Sequence, residues 1–276
     1  LALFLPLQGC SGAISAPQRA TLPAAVRVTT ADDPALPLLP GERAALAQTG
    51  MTSVAMPFGV LLAADAKMPL GYVRQAAAIH APSWGRRELL DAEWIAPLAD
   101  LRQQLGVMYP QAQAVFRERY GEMLEPEFMA ICEQLREASA VWFERDEPPQ
   151  CLVHGDFRLD NMLFDVRDGS EPIAVLDWQT VAVGRPMTDV GYFIGCGIGA
   201  ALWRDHEREL LDLWRAEMRV RGIDLTHEEI ERDYRLGILH GVSTAVFSAA
   251  FVERTERGDA NFLSMARGAC SLALER

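Results

Sequence analysis

The residues of this 276-residue chain best suited to chemistry stand in two short runs, His154-Gly155-Asp156-Phe157-Arg158-Leu159-Asp160-Asn161 and Asp177-Trp178-Gln179. Asp156 and Asn161 are five positions apart on a segment that reads as a loop, and Asp177 closes a nearby strand. Phosphoryl transfer from a nucleotide triphosphate asks for such a set. It needs a carboxylate to orient the attacking hydroxyl and accept its proton, and oxygen ligands to hold Mg²⁺ against the phosphates, with little covalent work left for the protein.

Short strands must position these groups. Cys151-Leu152-Val153, Met162-Leu163-Phe164 and Ile173-Ala174-Val175-Leu176 read as three of them, with Asp168-Gly169-Ser170 a hairpin turn between the last two. Helices surround the strands. The pattern predicts helices over 72–80, stopped by Pro82, and over 127–144, where Phe128, Ile131, Cys132, Leu135 and Trp142 share a face before Pro148-Pro149. After Pro186 it predicts them over 188–196, 203–221, 226–257 and 261–274, with Thr226 and Glu229 forming a capping box and 236–252 a buried stretch. Trp203, Trp214 and Tyr234 are expected in the core. The first 70 residues differ in texture: prolines interrupt every candidate helix, leaving 58–62 as a strand and 43–48 as a short helix. The class is α+β.

The spacing of Asp156, Asn161 and Asp177 matches the protein-kinase loop H-R-D-x-x-x-x-N and its later D-F-G, with Gly155 at the second position and Asp-Trp-Gln as the triplet. The runs V-H-G-D-F-R-L-D-N-M-L-F-D, V-L-D-W-Q and G-R-P-M-T-D-V-G-Y, in that order, resemble the aminoglycoside-phosphotransferase and choline-kinase-like superfamily, in particular its bacterial branch similar to ecdysteroid-kinase-like proteins. Ile79-His80-Ala81-Pro82-Ser83-Trp84 is similar to that branch's L-H-A-x-x-W helix end, and the likeness runs from about Tyr72 to Arg276. The resemblance implies a protein-kinase-like fold, mainly the helical large lobe with a small β-hairpin sheet, over residues 71–276. Residues 1–70 are then a truncated or irregular remnant of the N-terminal nucleotide lobe and hinge. It implies ATP and Mg²⁺ as cofactors and a small-molecule hydroxyl as acceptor. Asp156 becomes the base, Asn161 and Asp177 the metal ligands that also bind the cofactor, and Arg158 the group that neutralises the γ-phosphoryl. His154 braces the loop, and Asp189 anchors backbone beside it.

Composition bounds the alternatives. Half the residues are apolar and 23% charged, an ordinary globular balance. A net charge of −12 lacks the basic footprint of a nucleic-acid binder. No apolar run reaches the ~20 residues of a membrane span. Five scattered cysteines without a C-x-x-C pair argue against a disulfide framework or a zinc site. Leu1 to Leu7 lead into Leu7-Gln8-Gly9-Cys10, a faint likeness to a lipoprotein signal without its basic start, so a reducing cytoplasm is the expected location. Gly195, Gly197 and Gly199 lack the preceding strand and distal acid of a dinucleotide site and read as close helix packing. Asp160 and Asp165 read as turn residues.

One part of the kinase pattern is missing. Lys67 is the only lysine and stands in no V-x-x-K strand, Arg27 is a poor substitute, and Glu42 is the only early glutamate. A phosphotransferase, a catalytically impaired module that binds a ligand or partner, and, furthest from the motif order, a metal-dependent phosphohydrolase all remain open.

Overall fold

The computed structural model describes residues 68–91, 98–145, 149–166 and 171–276. The expected strand at 58–62, the short helix at 43–48, the turn at 168–170 and the residues Arg27, Glu42 and Lys67 lie outside them.

The elements follow in the order α1 (Met68–His80), a one-turn α2 (Arg87–Leu90), α3 (Leu98–Tyr120), α4 (Pro126–Phe143), β1 (Cys151–Val153), β2 (Met162–Val166), β3 (Glu171–Val175), β4 (Ala182–Gly184), α5 (Met187–Tyr192), α6 (Ala200–Val220), α7 (His227–Gly237), α8 (Leu239–Phe251) and α9 (Glu256–Glu275). Their starts follow local chemistry. Pro126 opens α4, where a missing N–H costs nothing, and Glu127 complements the helix dipole. Thr226 and Glu229 cap each other's backbone at the start of α7. Of the expected helices, 226–257 is divided: α7 ends at Gly237, α8 ends at Phe251, and α9 begins at Glu256.

α3 had no counterpart among the expected helices. It contains Pro110, which cannot donate to the carbonyl four residues back, that of Gly106. The Ser139 hydroxyl of α4 lies 3.1 Å from that orphaned carbonyl and shares its one proton between it and the Arg136 carbonyl of its own helix at 2.9 Å.

Two antiparallel pairs nest around the polar loops. β2 and β3 form a hairpin in which Met162 faces Val175 and Leu163 faces Ala174. β4 returns to β1, with Cys151 opposite Gly184 and Val153 opposite Ala182. Two apolar clusters support them. One joins α1, α5, α6 and α7 beneath the loop after β1, with Tyr72, Phe157, Trp203, Trp214 and Tyr234 fully or almost fully buried. The other packs α3 and α4 against α8 and α9 around Tyr109, Phe116 and Phe247. Each Leu- or Phe-sized side chain buried there contributes about 1.5–3 kcal/mol.

Gly195 lies in a wide helical turn, Phe193–Gly197, where its carbonyl sits so close to Gly268 that a side chain there would overlap it. These glycines serve helix packing. Cys132, Cys151, Cys196 and Cys270 are buried and unbridged. Among the described residues, no helix is long and apolar enough to cross a membrane.

Candidate active site

The loop that leaves β1 is anchored by a buried carboxylate. Asp189, in the first turn of α5, accepts the backbone N–H of His154 on Oδ2 at 2.7 Å and that of Gly155 on Oδ1 at 2.9 Å. His80 Nε2 lies 3.1 Å from the same Oδ2. Its tautomer follows from its other side, where the Trp214 indole N–H, a donor only, points at Nδ1 from 3.2 Å. Nδ1 is therefore bare, and Nε2 carries the proton to Asp189. Burial opposes a charge on Asp189, but the bonds from His80 and the two backbone N–H groups outweigh it and hold the pKa below the ordinary carboxylate value. Ser83 ties the end of α1 to β1, donating to the His80 carbonyl at 3.2 Å and accepting the Leu152 N–H at 2.8 Å.

The two polar runs are cross-tied. His154 Nε2 donates to the Leu176 carbonyl at 2.7 Å, and its Nδ1 accepts the Asp156 N–H at 3.3 Å. The Thr180 hydroxyl donates to the His154 carbonyl, and the Leu176 N–H to the Asn161 carbonyl, both at 2.7 Å. The Trp178 ring meets His154 edge-on at 4.9 Å. Gly155 has φ +81°, and a Cβ there would lie 2.6 Å from the Thr180 carbonyl oxygen, so this close crossing admits only glycine.

Asp156 is half-buried at the mouth of this structure. Asn161 Nδ2 donates to its Oδ2 and to its backbone carbonyl, each at 2.9 Å. The Tyr192 hydroxyl donates to Oδ1 at 3.1 Å. Arg158 Nε stands 3.2 Å from the same oxygen and Nη1 3.7 Å from Asp160. The Nε–H is buried, and its contact with Asp156 is a charge pair rather than an aligned hydrogen bond. Burial works against the Arg158 charge, but Tyr192, Asp156 and Asp160 around it outweigh that and raise its pKa.

Asn161 immediately precedes β2, and Asp177 follows β3 by two residues; Met162 faces Val175, so both sit at one end of the hairpin. Asn161 commits its amide nitrogen to Asp156, which leaves its side-chain oxygen as the atom for a cation. Asp177 is exposed, with Gln179 Nε2 3.4 Å from Oδ2, and its backbone is left-handed at φ 60°, ψ 63°. This donor chemistry fits Mg²⁺, a hard ion bound by one or two protein oxygens plus phosphates and water. Such a site needs no cage, and among the described residues no group of three or more His, Cys, Asp or Glu forms one. A recess of about 120 Å³ opens elsewhere, lined by Trp84, Arg185, Trp214, Ile230 and Asp233, and no residue of the two runs reaches it.

The model of the phosphotransferase enzyme family, APH, matches residues 35–230. The chain belongs to that family. Its described residues form an α+β architecture, mainly helical, with two small two-stranded sheets. The family match begins inside the segment that read as irregular and includes both polar runs. Among curated proteins, the chain is similar to mouse acyl-CoA dehydrogenase family member 11, 40% identical over 57 residues, which are 19% of this chain and 7% of that protein. It is 48% identical to the human member 11 over 42 residues (15% and 5%) and 54% identical to mouse member 10 over 41 residues (15% and 4%). The matched segments thus span under a tenth of those relatives' length. Solved structures similar to this APH-family chain include choline kinase from Cryptosporidium parvum Iowa II, at TM-score 0.48 and 9% identity over 81% of this chain and 68% of that one. A putative aminoglycoside phosphotransferase from Ralstonia eutropha JMP134 aligns at TM-score 0.47 and 18% identity, over 76% and 66%.

Four side chains at the site had no role in the sequence reading. His80 and Tyr192 stand inside runs quoted for their likeness to the family, but their partners are 109 and 36 positions away. His240, whose Nε2 donates to the Gly155 carbonyl at 2.7 Å, lies in an apolar run that signals only a helix. Thr180 carried no signal.

Proposed function

We propose that this APH-family protein transfers the γ-phosphoryl group of Mg·ATP to a hydroxyl of a small-molecule acceptor, with Asp156 as the base. The observation that supports this most is the convergence at one hairpin end of a hydrogen-bonded Asp156–Asn161 pair and the exposed Asp177 carboxylate. On this reading residues 71–276 form the catalytic large lobe, residues 1–70 a remnant of the nucleotide lobe, and ATP-rich cytoplasm suits the chain.

Asn161 and Asp177 would hold Mg²⁺ through side-chain oxygens. When bound, the ion supplies positive charge that offsets charge on the phosphates. The chain's own residues do the rest. Asp156 accepts the proton of the acceptor hydroxyl, because its carboxylate is the accessible acceptor on a loop held from below by Asp189. Arg158, whose guanidinium is held beside the base by Asp156 and Asp160, offsets charge on the transferring group. His154 keeps the base loop and the Asp177 loop in one register through the Leu176 carbonyl.

Calorimetric titration of ATP into the full chain, with and without Mg²⁺ and beside Asp177→Ala, tests the reading. Metal-dependent binding lost in the variant supports it, and a screen of hydroxyl acceptors then seeks turnover. Absence of ATP binding in both proteins would refute it. The impaired module, which a single lysine without a strand context favours, would then be the better description.

A further inference from the structure

Asp156 has three side-chain neighbours, and the proposed chemistry claims two of them. Asn161 would face a cation, and Arg158 would turn toward the transferring phosphate. The third neighbour, Tyr192, has no such second duty. Its ring is fully buried at the end of α5, its hydroxyl donates to Asp156 Oδ1 at 3.1 Å, and its edge meets the His240 ring at 5.3 Å. His240, on α8, donates from Nε2 to the carbonyl of Gly155, the peptide directly before the base, at 2.7 Å. Two helices of the C-terminal half, α5 and α8, therefore reach the same two residues of the loop.

We propose, resting on the phosphotransfer reading, that Tyr192 is the positioning residue of the base. It fixes the direction of the Asp156 carboxylate while His240 fixes the peptide that carries it. Asp189 and His154 tie the loop backbone, and neither touches the carboxylate. A base misplaced by an ångström loses rate through orientation rather than affinity, so a donor on rigid core governs kcat more than binding. Both donors keep their protons across the working range. Burial, then the Asp156 charge, raises the Tyr192 pKa well above that of a free tyrosine. Burial lowers the His240 pKa against the opposing pull of the Gly155 carbonyl and the nearby aspartates, which favours the uncharged ring. The bland alternative is that Asp156 merely satisfies a buried tyrosine hydroxyl.

The test is Tyr192→Phe in the full chain, followed by ADP release from Mg·ATP with water or a screened acceptor alcohol as phosphoryl acceptor. The expected result is a kcat lower by roughly ten- to a hundredfold, with the Mg·ATP dissociation constant within about twofold of wild type. A kcat within about twofold of wild type overturns the proposal, whatever the melting temperature does. Crystal structures of both proteins give a readout independent of turnover. The Asp156 carboxylate should leave its wild-type rotamer in the variant, and an unmoved carboxylate overturns the proposal. If the wild type shows no turnover, the phosphotransfer reading fails and the crystallographic comparison alone decides the positioning role. If Tyr192→Phe does not fold, His240→Gln, whose amide nitrogen can take the place of Nε2 and donate to Gly155, should keep kcat, and His240→Ala should lose it. Equal kcat values for those two variants overturn the proposal.

Discussion

Replacing Asp189 should destabilise the protein by an amount its three donors allow one to work out. Hydrogen bonds to a charged acceptor contribute about 1.5–3 kcal/mol each, so the three would sum to about 4.5–9 kcal/mol. That sum overshoots, because removing the carboxylate also recovers its own desolvation penalty; leaving buried donors unsatisfied costs about 1–3 kcal/mol each, which puts Asp189→Ala at about 3–5 kcal/mol. Asp189→Asn is the sharper case. The His154 N–H and His80 both donate to Oδ2, and His80 cannot reverse its tautomer while the Trp214 N–H occupies Nδ1. The asparagine oxygen must therefore sit at the Oδ2 position, which turns its NH₂ toward the Gly155 N–H. One bond is lost and two donors face each other, a cost of about 2–3 kcal/mol. Urea unfolding followed by far-ultraviolet circular dichroism at pH 7 measures both. The pH dependence has a definite sign. The folded pKa of Asp189 lies below its unfolded value, so its contribution is full above about pH 5 and fades as pH falls through the folded pKa. The gap between wild type and Asp189→Asn should be flat from pH 5 to 8 and narrow below about pH 4. A gap under about 0.5 kcal/mol at pH 7, or one that widens in acid, would refute the account.

Asp177→Gly should gain about 1 kcal/mol of stability, because φ 60° suits glycine better, while abolishing Mg-dependent ATP binding; melting curves and calorimetry read the two effects separately. Gly155→Ala should cost about 2–3 kcal/mol, since both the positive φ and the Thr180 carbonyl oppose a Cβ, and a melting temperature within 2 °C of wild type would show that the crossing is looser. Thr226→Ala removes one half of a capping box on an exposed helix start and should lower stability by about 1 kcal/mol in urea with no change in ATP binding.

The parts of this molecule that were legible in the sequence are those whose causes are local. Helix α4 follows from its apolar period and its prolines, the start of α7 from Thr226 and Glu229, and the hairpin from two short apolar runs around a turn. Helix α3 was not legible because Pro110 reads as a helix breaker, while the partner that eases its defect, Ser139, is 29 positions further on and visible only in three dimensions. Strand β4 has three residues and exists by pairing with β1, so no propensity announces it. The division of 226–257 into two helices and the start of a third has no proline to mark it. At the candidate site the loop residues are close in sequence and stood out together. Their supports did not, since His80, Tyr192 and His240 act across gaps of 36 to 109 positions.

Those supports bear on whether the chain is an enzyme or an impaired relative. Three local energetic costs meet at the paired loops: a non-glycine residue at left-handed φ in Asp177, a carboxylate with no solvent contact in Asp189, and a buried Arg158 Nε–H aligned with no acceptor. Each disfavours folding by about 1–3 kcal/mol unless something compensates it. The first two are compensated within the protein, Asp177 by the tie between Leu176 and Asn161, Asp189 by its three donors. The Arg158 charge is compensated by its ion pair with Asp156, and only the alignment of its Nε–H is left imperfect. Strain and unmet donors gather where a fold is held ready for a ligand. A module that bound its partner through the C-terminal helices would need no such arrangement at this hairpin end, in keeping with the proposed phosphoryl transfer.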